Sequence, residues 1–348
     1  MRVETGIPMN DLRAVGDVAR AAESAGYDGI ISPEIANDPF ISLAFAAVVT
    51  ERLRLGTGIV VAFPRSPMVV AQVAMDLHRE SGGRFHLGLG SQVKGHNERR
   101  FSVPWSAPAP RLREYVESLR AIWRCWEQGE PLRYEGEHYQ FTLMTPEFSP
   151  RPSGLPPIPV SIAAVGPAMM KLAGRICDGV RLHGFATRKY LEEVALPQIT
   201  AGLAQNPRVR SQFDVWGGGF ICTGPDADAL QKSMDETRYR IAFYGSTRSY
   251  HGVLAIHGWE DLGLKLHDMS KRGKWKEMAA QVPDEVVRTF AAVGTHGELA
   301  GAIEERFGGI ADTIALGFSP RTDPGLVREI VTDIQKIPSV FSDYARDW

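Results

Sequence analysis

The sequence predicts an α/β fold: one (β/α)8 TIM barrel over residues 1–348, with inserted segments near 131–154 and 245–282. Three observations lead there. Short apolar runs rich in Val and Ile alternate with amphipathic helical runs. Eight such units can be counted, and no low-complexity linker divides them. Strands separated by one helix each pair in parallel through right-handed crossovers. Eight of them favour closure over an open doubly wound sheet.

The units follow in order. Arg2–Ile7 reads as the first strand, and Asn10 as the cap of a helix carrying Leu12, Val15, Ala19 and Ala22 on one face, ended by Gly26. Asp28–Ser32 is the second strand and Pro39–Thr50 its helix. Leu53–Phe63 and Arg84–Leu89 are the third and fourth strands, with Pro67–Ser81 helical between them. Arg111–Gln128 places Leu112, Val116, Leu119 and Trp123 in helical register, and a hairpin is expected around Tyr134–Phe141. Ile158–Ala163, Asp178–His183 and Phe213–Cys222 are strands five to seven. The helices Pro167–Arg175, Thr187–Ala204 and Asp226–Phe243 follow them in turn. Ala311–Leu316 closes the barrel, and the last helix starts at Asp323 with Pro324 in its first turn. No internal repeat is evident.

Composition narrows the classes. Hydrophobic residues at 44% and charged residues at 23% suit a globular chain with a sizeable core. A net charge of −2 with scattered basic residues argues against a nucleic-acid surface. Cys125, Cys177 and Cys222 lie far apart and form no CxxC pair, which fits buried thiols in a reducing compartment. No apolar h-region opens the chain and no run of 18 uncharged apolar residues occurs, so neither a signal peptide nor a membrane span is expected. The expectation is a cytoplasmic protein acting on a small molecule. Its oligomeric state is open, a homodimer being one option.

In such a barrel function sits on the loops after the strands' C-terminal ends. Leu55–Pro67 reads LGTGIVVAFPRSP, with two glycines inside a strand; tight packing or close approach of a ligand would each explain them. Ser81–His96 reads SGGRFHLGLGSQVKGH and does not meet the GxGxxG spacing. Lys94, Arg99 and Arg100 follow. In AAVGPAMMKLAGRICDGV (163–180) small residues lead into a helix opening at Gly166-Pro167; its free N–H groups would attract a phosphate, unless this is an ordinary turn. His251, His257 and His267 lack metal-ligand spacing and no HExxH occurs, so no metal is expected. Trp259 and Trp275 either line a pocket or pack the second insert.

Together these three segments resemble the luciferase-like superfamily of flavin and deazaflavin enzymes, and most of all its branch using the deazaflavin coenzyme F420. The resemblance covers essentially the whole chain. It implies a non-prolyl cis bond at Gly58–Ile59 behind the ring, ring or ribityl contacts at Ser91, and a phosphate loop at Ala163, Ala164, Val165, Gly166 and Pro167. Lys94, Arg99, Arg100 and Lys171 would meet the glutamyl tail of F420. The family's acid–histidine pair after strand two would fall at Glu34-Ile35, so Ile35 fills the histidine's place, with Asn37 nearby as a partial substitute. Glu34, His96 and His183 are the candidates for proton handling. The implied function is hydride transfer between F420 and a small organic substrate. The alternatives are an FMN-dependent monooxygenase of the same superfamily and a flavin- or deazaflavin-binding protein without turnover.

Overall fold

The computed structural model describes residues 1–206 and 208–348. Among the described residues eight parallel strands form the barrel: β1 (Arg2–Gly6), β2 (Gly29–Ser32), β3 (Arg54–Thr57), β4 (Phe85–Gly90), β5 (Val160–Ala164), β6 (Gly179–Leu182), β7 (Asp214–Trp216) and β8 (Thr313–Ala315). β1 pairs with β8 through Arg2↔Thr313, and β3 pairs with β4 through Leu55↔Phe85, which closes the ring. The TIM barrel is therefore as expected. β3 stops at Thr57, and the chain rejoins the sheet at Val60–Val61, opposite Leu89 and Gly90.

Several of the surrounding helices start where a side chain can accept their first N–H groups. Ser66 caps Pro67–Glu80 and Asp38 caps Pro39–Ala47. For the first helix the cap is Asp11 rather than Asn10, whose side-chain oxygen accepts from Asn37 instead. The helix Pro108–Gln128 buries Leu112, Tyr115, Val116, Leu119, Ile122 and Trp123 at i, i+3/i+4 spacing, and it packs beside the helices Pro67–Glu80 and Pro167–Ile176. Gly129, at φ 71°, ends it in the left-handed conformation that glycine adopts without a Cβ clash.

A recurrence that the sequence reading missed orders the N-terminal end of the barrel. Asp28, Asp178 and Asp312 each stand just before an even-numbered strand, in the runs DGII, DGVR and DTIA. Each carboxylate accepts the N–H of the neighbouring odd strand: Val3 at 2.8 Å, Val160 at 2.8 Å and Val215 at 2.9 Å. These strand-start N–H groups thereby gain acceptors. The C-terminal segment closes this end, with Tyr344 donating to Asp214 at 3.0 Å and Arg2 lying over Phe341.

The seventh strand departs from its expected span of Phe213–Cys222. β7 holds three residues; the chain then turns through Gly217, Gly218 and Gly219 and leaves the barrel. Phe220–Cys222 pairs instead with Ala291–Val293 in a separate two-stranded parallel sheet. The helices Asp284–Phe290 and Leu299–Phe307 frame that pair; neither was anticipated. In the first insert the expected hairpin is present, Tyr134–Glu135 against Gln140–Phe141. The second insert is helical over His251–Ala255, Glu260–Lys271 and Trp275–Met278.

Candidate active site

Toward the C-terminal mouth, the wall made by β3 and β4 is built on Gly56, Gly88 and Gly90. A Cβ on Gly56 would collide with the His86 ring, one on Gly88 with the Thr57 carbonyl oxygen and the Arg181 side chain, and one on Gly90 with the Ile59 side chain. The two strands are locked together there: the Gly88 N–H donates to Thr57 Oγ1 at 2.8 Å and that hydroxyl donates to the Gly88 oxygen at 2.7 Å. The Gly58–Ile59 bond is cis. The result is a shallow floor with Ile59 lying across Gly90.

The second strand's loop holds this floor from outside. The Gly58 N–H donates to the Ser32 oxygen and the Glu34 N–H to the Ile59 oxygen, both at 3.0 Å. Glu34 then uses its carboxylate on the same segment. It accepts from the Val61 N–H at 2.7 Å and from Arg65 Nη1 at 2.9 and 2.8 Å, while Arg65 Nη2 reaches Asp38 at 2.9 Å. Both Glu34 oxygens are thus engaged, and the clamp fixes Gly58–Val61. Ile35, in the family histidine's place, is exposed, and Asn37 is tied to Met9 and Asn10.

Beneath the floor lies a buried polar layer. Arg181 of β6 spans the barrel, donating from Nε to Ser161 Oγ at 3.1 Å and from Nη2 to His86 Nε2 at 2.6 Å. Its guanidinium carbon stands 4.1 Å from the Trp216 ring centroid. Burial, then the Arg181 charge, push His86 well below the usual histidine range, so its ring is neutral and can accept. Glu4 lies 3.8 Å from His86; burial raises its carboxyl to about 7. Neither Arg181 nor Trp216 was singled out from the sequence. The signal available was an arginine inside the apolar run DGVRL.

The opposite side of the mouth is aromatic. His183, just past β6, packs edge-on to Tyr244 at 4.6 Å and tilted against Tyr250 at 4.8 Å between ring centroids. Burial lowers its pKa to about 4. The Phe185 N–H donates to His183 Nδ1 at 3.0 Å, which assigns the ring proton to Nε2, 3.4 Å from the Tyr250 hydroxyl oxygen. Trp259 stacks on His257 inside the insert, whereas Trp275 is exposed against Phe243. The three insert histidines bind acceptors or hydroxyls: His251 the Gly245 oxygen, His257 the Thr187 hydroxyl and His267 the Ser246 oxygen.

The turn 163–167 leads from β5 into the helix Pro167–Ile176 with Gly166 at the N-cap, and no side chain satisfies the helix's first N–H groups. Nothing lies within 4 Å of a Cβ built on Gly166, so the place is open. Ser91 follows β4, its carbonyl held by the buried Asn97 amide at 2.9 Å. His96 is exposed on the short helix Lys94–Arg99, and among the described residues its ring makes no hydrogen bond. Arg99 is exposed beside it; Arg100 donates to the Ile35 oxygen and so joins the loops after β4 and β2.

A closed (β/α)8 barrel whose mouth combines a glycine-lined floor, an uncapped helix N-terminus and an aromatic wall has the architecture of an enzyme barrel, with its functional groups at the C-terminal ends of the strands. The family described as luciferase-like monooxygenase matches residues 2–313, and the chain belongs to it. It is 45% identical over 314 residues to an uncharacterized protein of Mycobacterium tuberculosis, covering 90% of this chain and 92% of that one. It is 32% identical over 297 residues to a second M. tuberculosis protein, provisionally named a coenzyme F420-dependent oxidoreductase, covering 80% and 83%. The coenzyme F420-dependent tetrahydromethanopterin reductase of Methanopyrus kandleri superposes with a TM-score of 0.74 at 22% identity, over 97% of this chain and 98% of that one. At that identity the superposition speaks for the fold.

Proposed function

We propose that this protein is an F420-dependent oxidoreductase that moves hydride between the deazaflavin ring and a small organic substrate. The observation that carries the reading is the glycine floor facing the same mouth as the uncapped helix N-terminus at Gly166. Because Cβ atoms on Gly88 and Gly90 would strike the Thr57 oxygen, Arg181 or the Ile59 side chain, only glycines let these strands pack as a flat floor, and Arg181 Nη1, buried without a partner among the described residues, lies 3.5 Å from the Cβ position of Gly58. These features fit a planar ring with a phosphate-bearing chain. When bound, the deazaflavin would supply a ring carbon that takes or gives hydride without activating oxygen.

The chain's own residues do the rest. Gly58 and Ile59 would back one face of the ring, Gly88 and Gly90 would keep the strands behind it flat, and Ser91 would be at hand for ring or ribityl contacts. Ala163–Pro167 would offer backbone N–H groups and the helix dipole to a phosphate. Glu34, with both oxygens engaged, acts by holding the floor through Val61 and Arg65. His183 stays neutral near pH 7 and presents its Nε2 proton to Tyr250, which puts a hydrogen-bonding pair on the substrate side of the mouth. His96 is on an exposed helix after β4, at the rim.

The runner-up, an FMN-dependent monooxygenase, is favoured by the family's monooxygenase description. Titrating the purified protein with F420 and FMN separates the two. F420 should bind more tightly, because its tail adds carboxylates near Arg99 and Arg100. Each exposed pairing is worth roughly 0.2–1 kcal/mol, and salt weakens it. Replacing Arg99 and Arg100 together by Ala should shrink the preference and leave FMN affinity alone. Equal binding of FMN at low salt would favour the monooxygenase. Gly166→Asp places a carboxylate at an open N-cap, which helices tolerate well. It should leave the fold intact and weaken cofactor binding at least tenfold, about 1.4 kcal/mol. Unchanged affinity would sink the phosphate-loop assignment.

A further inference from the structure

We propose that Arg181 acts as the electrostatic partner of the reduced cofactor, its guanidinium stabilising the negative charge that hydride uptake leaves on the bound ring. The inference rests on the cofactor reading above and deepens it.

Arg181 is 5% exposed, on the sixth strand, in the layer directly under the floor. Two of its three nitrogens are satisfied by neutral partners, Ser161 and His86. The third, Nη1, is buried with no acceptor among the described residues and lies 3.5 Å from where a Cβ on Gly58 would stand. Trp216 covers one face of the guanidinium. Among the described residues no carboxylate lies within ion-pair distance of it; Glu4, the acid nearest in the network, is reached only through His86. A buried cation without an anion is costly to keep out of water. One that persists beneath a ligand site is explained when the ligand brings the charge.

Arg306 makes the contrast. It too is 5% exposed with unpartnered nitrogens, but its Nη2 donates to the Ala186 and Gly218 oxygens. It ties together the loops after β6 and β7 and has a structural task. Arg181 makes no comparable backbone link, and its free nitrogen sits under the floor.

The charge balance is simple. Hydride uptake adds two electrons and one proton to the ring, so the ring becomes one unit more negative until a second proton follows. A fixed positive charge under the floor would favour that state over the oxidised one. It needs no reorganisation at the moment of transfer. Arg181 is thus a positioning residue acting on redox poise, distinct from any group that handles substrate protons.

The test uses the full chain reconstituted with F420. The midpoint potential of the bound cofactor is read by equilibration with a reference dye in wild type, Arg181→Met and Arg181→Lys. Arg181→Met should shift the equilibrium at least tenfold toward the oxidised form, about 30 mV for a two-electron couple. Arg181→Lys, which keeps the charge, should stay within threefold of wild type. An unchanged potential in Arg181→Met with cofactor bound overturns the proposal. Should that variant fail to fold, wild type decides alone: it should bind reduced F420 at least tenfold more tightly than oxidised F420, and equal affinities overturn the proposal while leaving the cofactor assignment standing. If wild type binds neither F420 nor FMN, the proposed function fails and this inference with it.

Discussion

The third and seventh barrel strands are both interrupted by glycines at the C-terminal mouth, yet the chain does opposite things after each. After Thr57 it passes through Gly58–Ile59 and rejoins the barrel, where Val60 and Val61 pair with β4. After Trp216 it passes through Gly217–Gly219 and leaves, and Phe220–Cys222 finds a new partner in Ala291–Val293. The local device is the same. What differs is the surroundings. Around the third strand, Ser32 and Glu34 grip the backbone on both sides of the break, Arg65 closes the clamp, and the Thr57–Gly88 hydroxyl bridge holds the neighbour in place. Around the seventh, a Cβ on Gly218 would collide with the His183 oxygen, and Gly219 sits at φ 142° with the Arg306 guanidinium beside it. A glycine break marks where a strand can open; the neighbours decide whether it resumes.

That contrast can be broken by substitution, and the largest effect is expected on the third-strand side. Gly88→Ala would press a methyl group into the Thr57 carbonyl, backbone held from both sides. Unfolding free energy should fall by about 3 kcal/mol, at the upper end of overpacking costs, and cofactor affinity should collapse with it. Chemical denaturation and cofactor titration check both. A change under both strands comes next. Glu4 of β1 feels the charges of Arg54 on β3 and Asp214 on β7; burial first raises its carboxyl to about 7, and Arg181 works in the opposite direction. The folded state therefore holds a proton that the unfolded chain releases near its ordinary value of 4.5. The stability this provides is full below that value and is lost as pH rises to about 7. The fall is up to about 3 kcal/mol by linkage. In Glu4→Gln, denaturation midpoints measured between pH 4.5 and 8 should lose this slope; a slope equal to wild type would show that another group supplies it.

Glu34→Ala removes the clamp itself. Arg65 keeps Asp38 and stays partly solvated, so the expected loss is about 2 kcal/mol, below that of a fully buried broken pair. Glu34→Gln, which can still accept from Val61, should recover part of it. Cofactor affinity should track stability across the two variants if Glu34 acts by holding the floor. A variant with full affinity and lost turnover would instead assign Glu34 to proton transfer. The smallest effect is expected at Gly219→Ala. Its methyl meets the end of a flexible arginine at a backbone angle that only glycine favours, for about 1 kcal/mol, with cofactor affinity within threefold of wild type. Equal damage from Gly88→Ala and Gly219→Ala would erase the distinction between the two breaks.

Much of this molecule is legible in its sequence because the signals are local. Alternating apolar runs and amphipathic helices identify the eight units, and the start of the last helix at Asp323 depends only on Leu326, three positions away. The segments 55–67, 81–96 and 163–180 carry the family likeness. The cis bond at Gly58–Ile59 that this likeness implies is present, and the glycines and the open turn at Gly166 are visible as residue types.

What the tertiary structure decided is everything that needs two distant segments at once. That Glu34 faces Arg65, that Arg181 crosses the barrel to His86, and that Phe220–Cys222 belongs to a sheet outside the barrel are facts about partners 31, 95 and about 70 residues away. A charged residue in an apolar strand reads the same whether it faces solvent or the barrel axis. Only closure of the ring turns it inward, removes its water and leaves one nitrogen waiting under the floor. Local chemistry specifies the elements; burial, which is a property of the whole fold, assigns the charges their work.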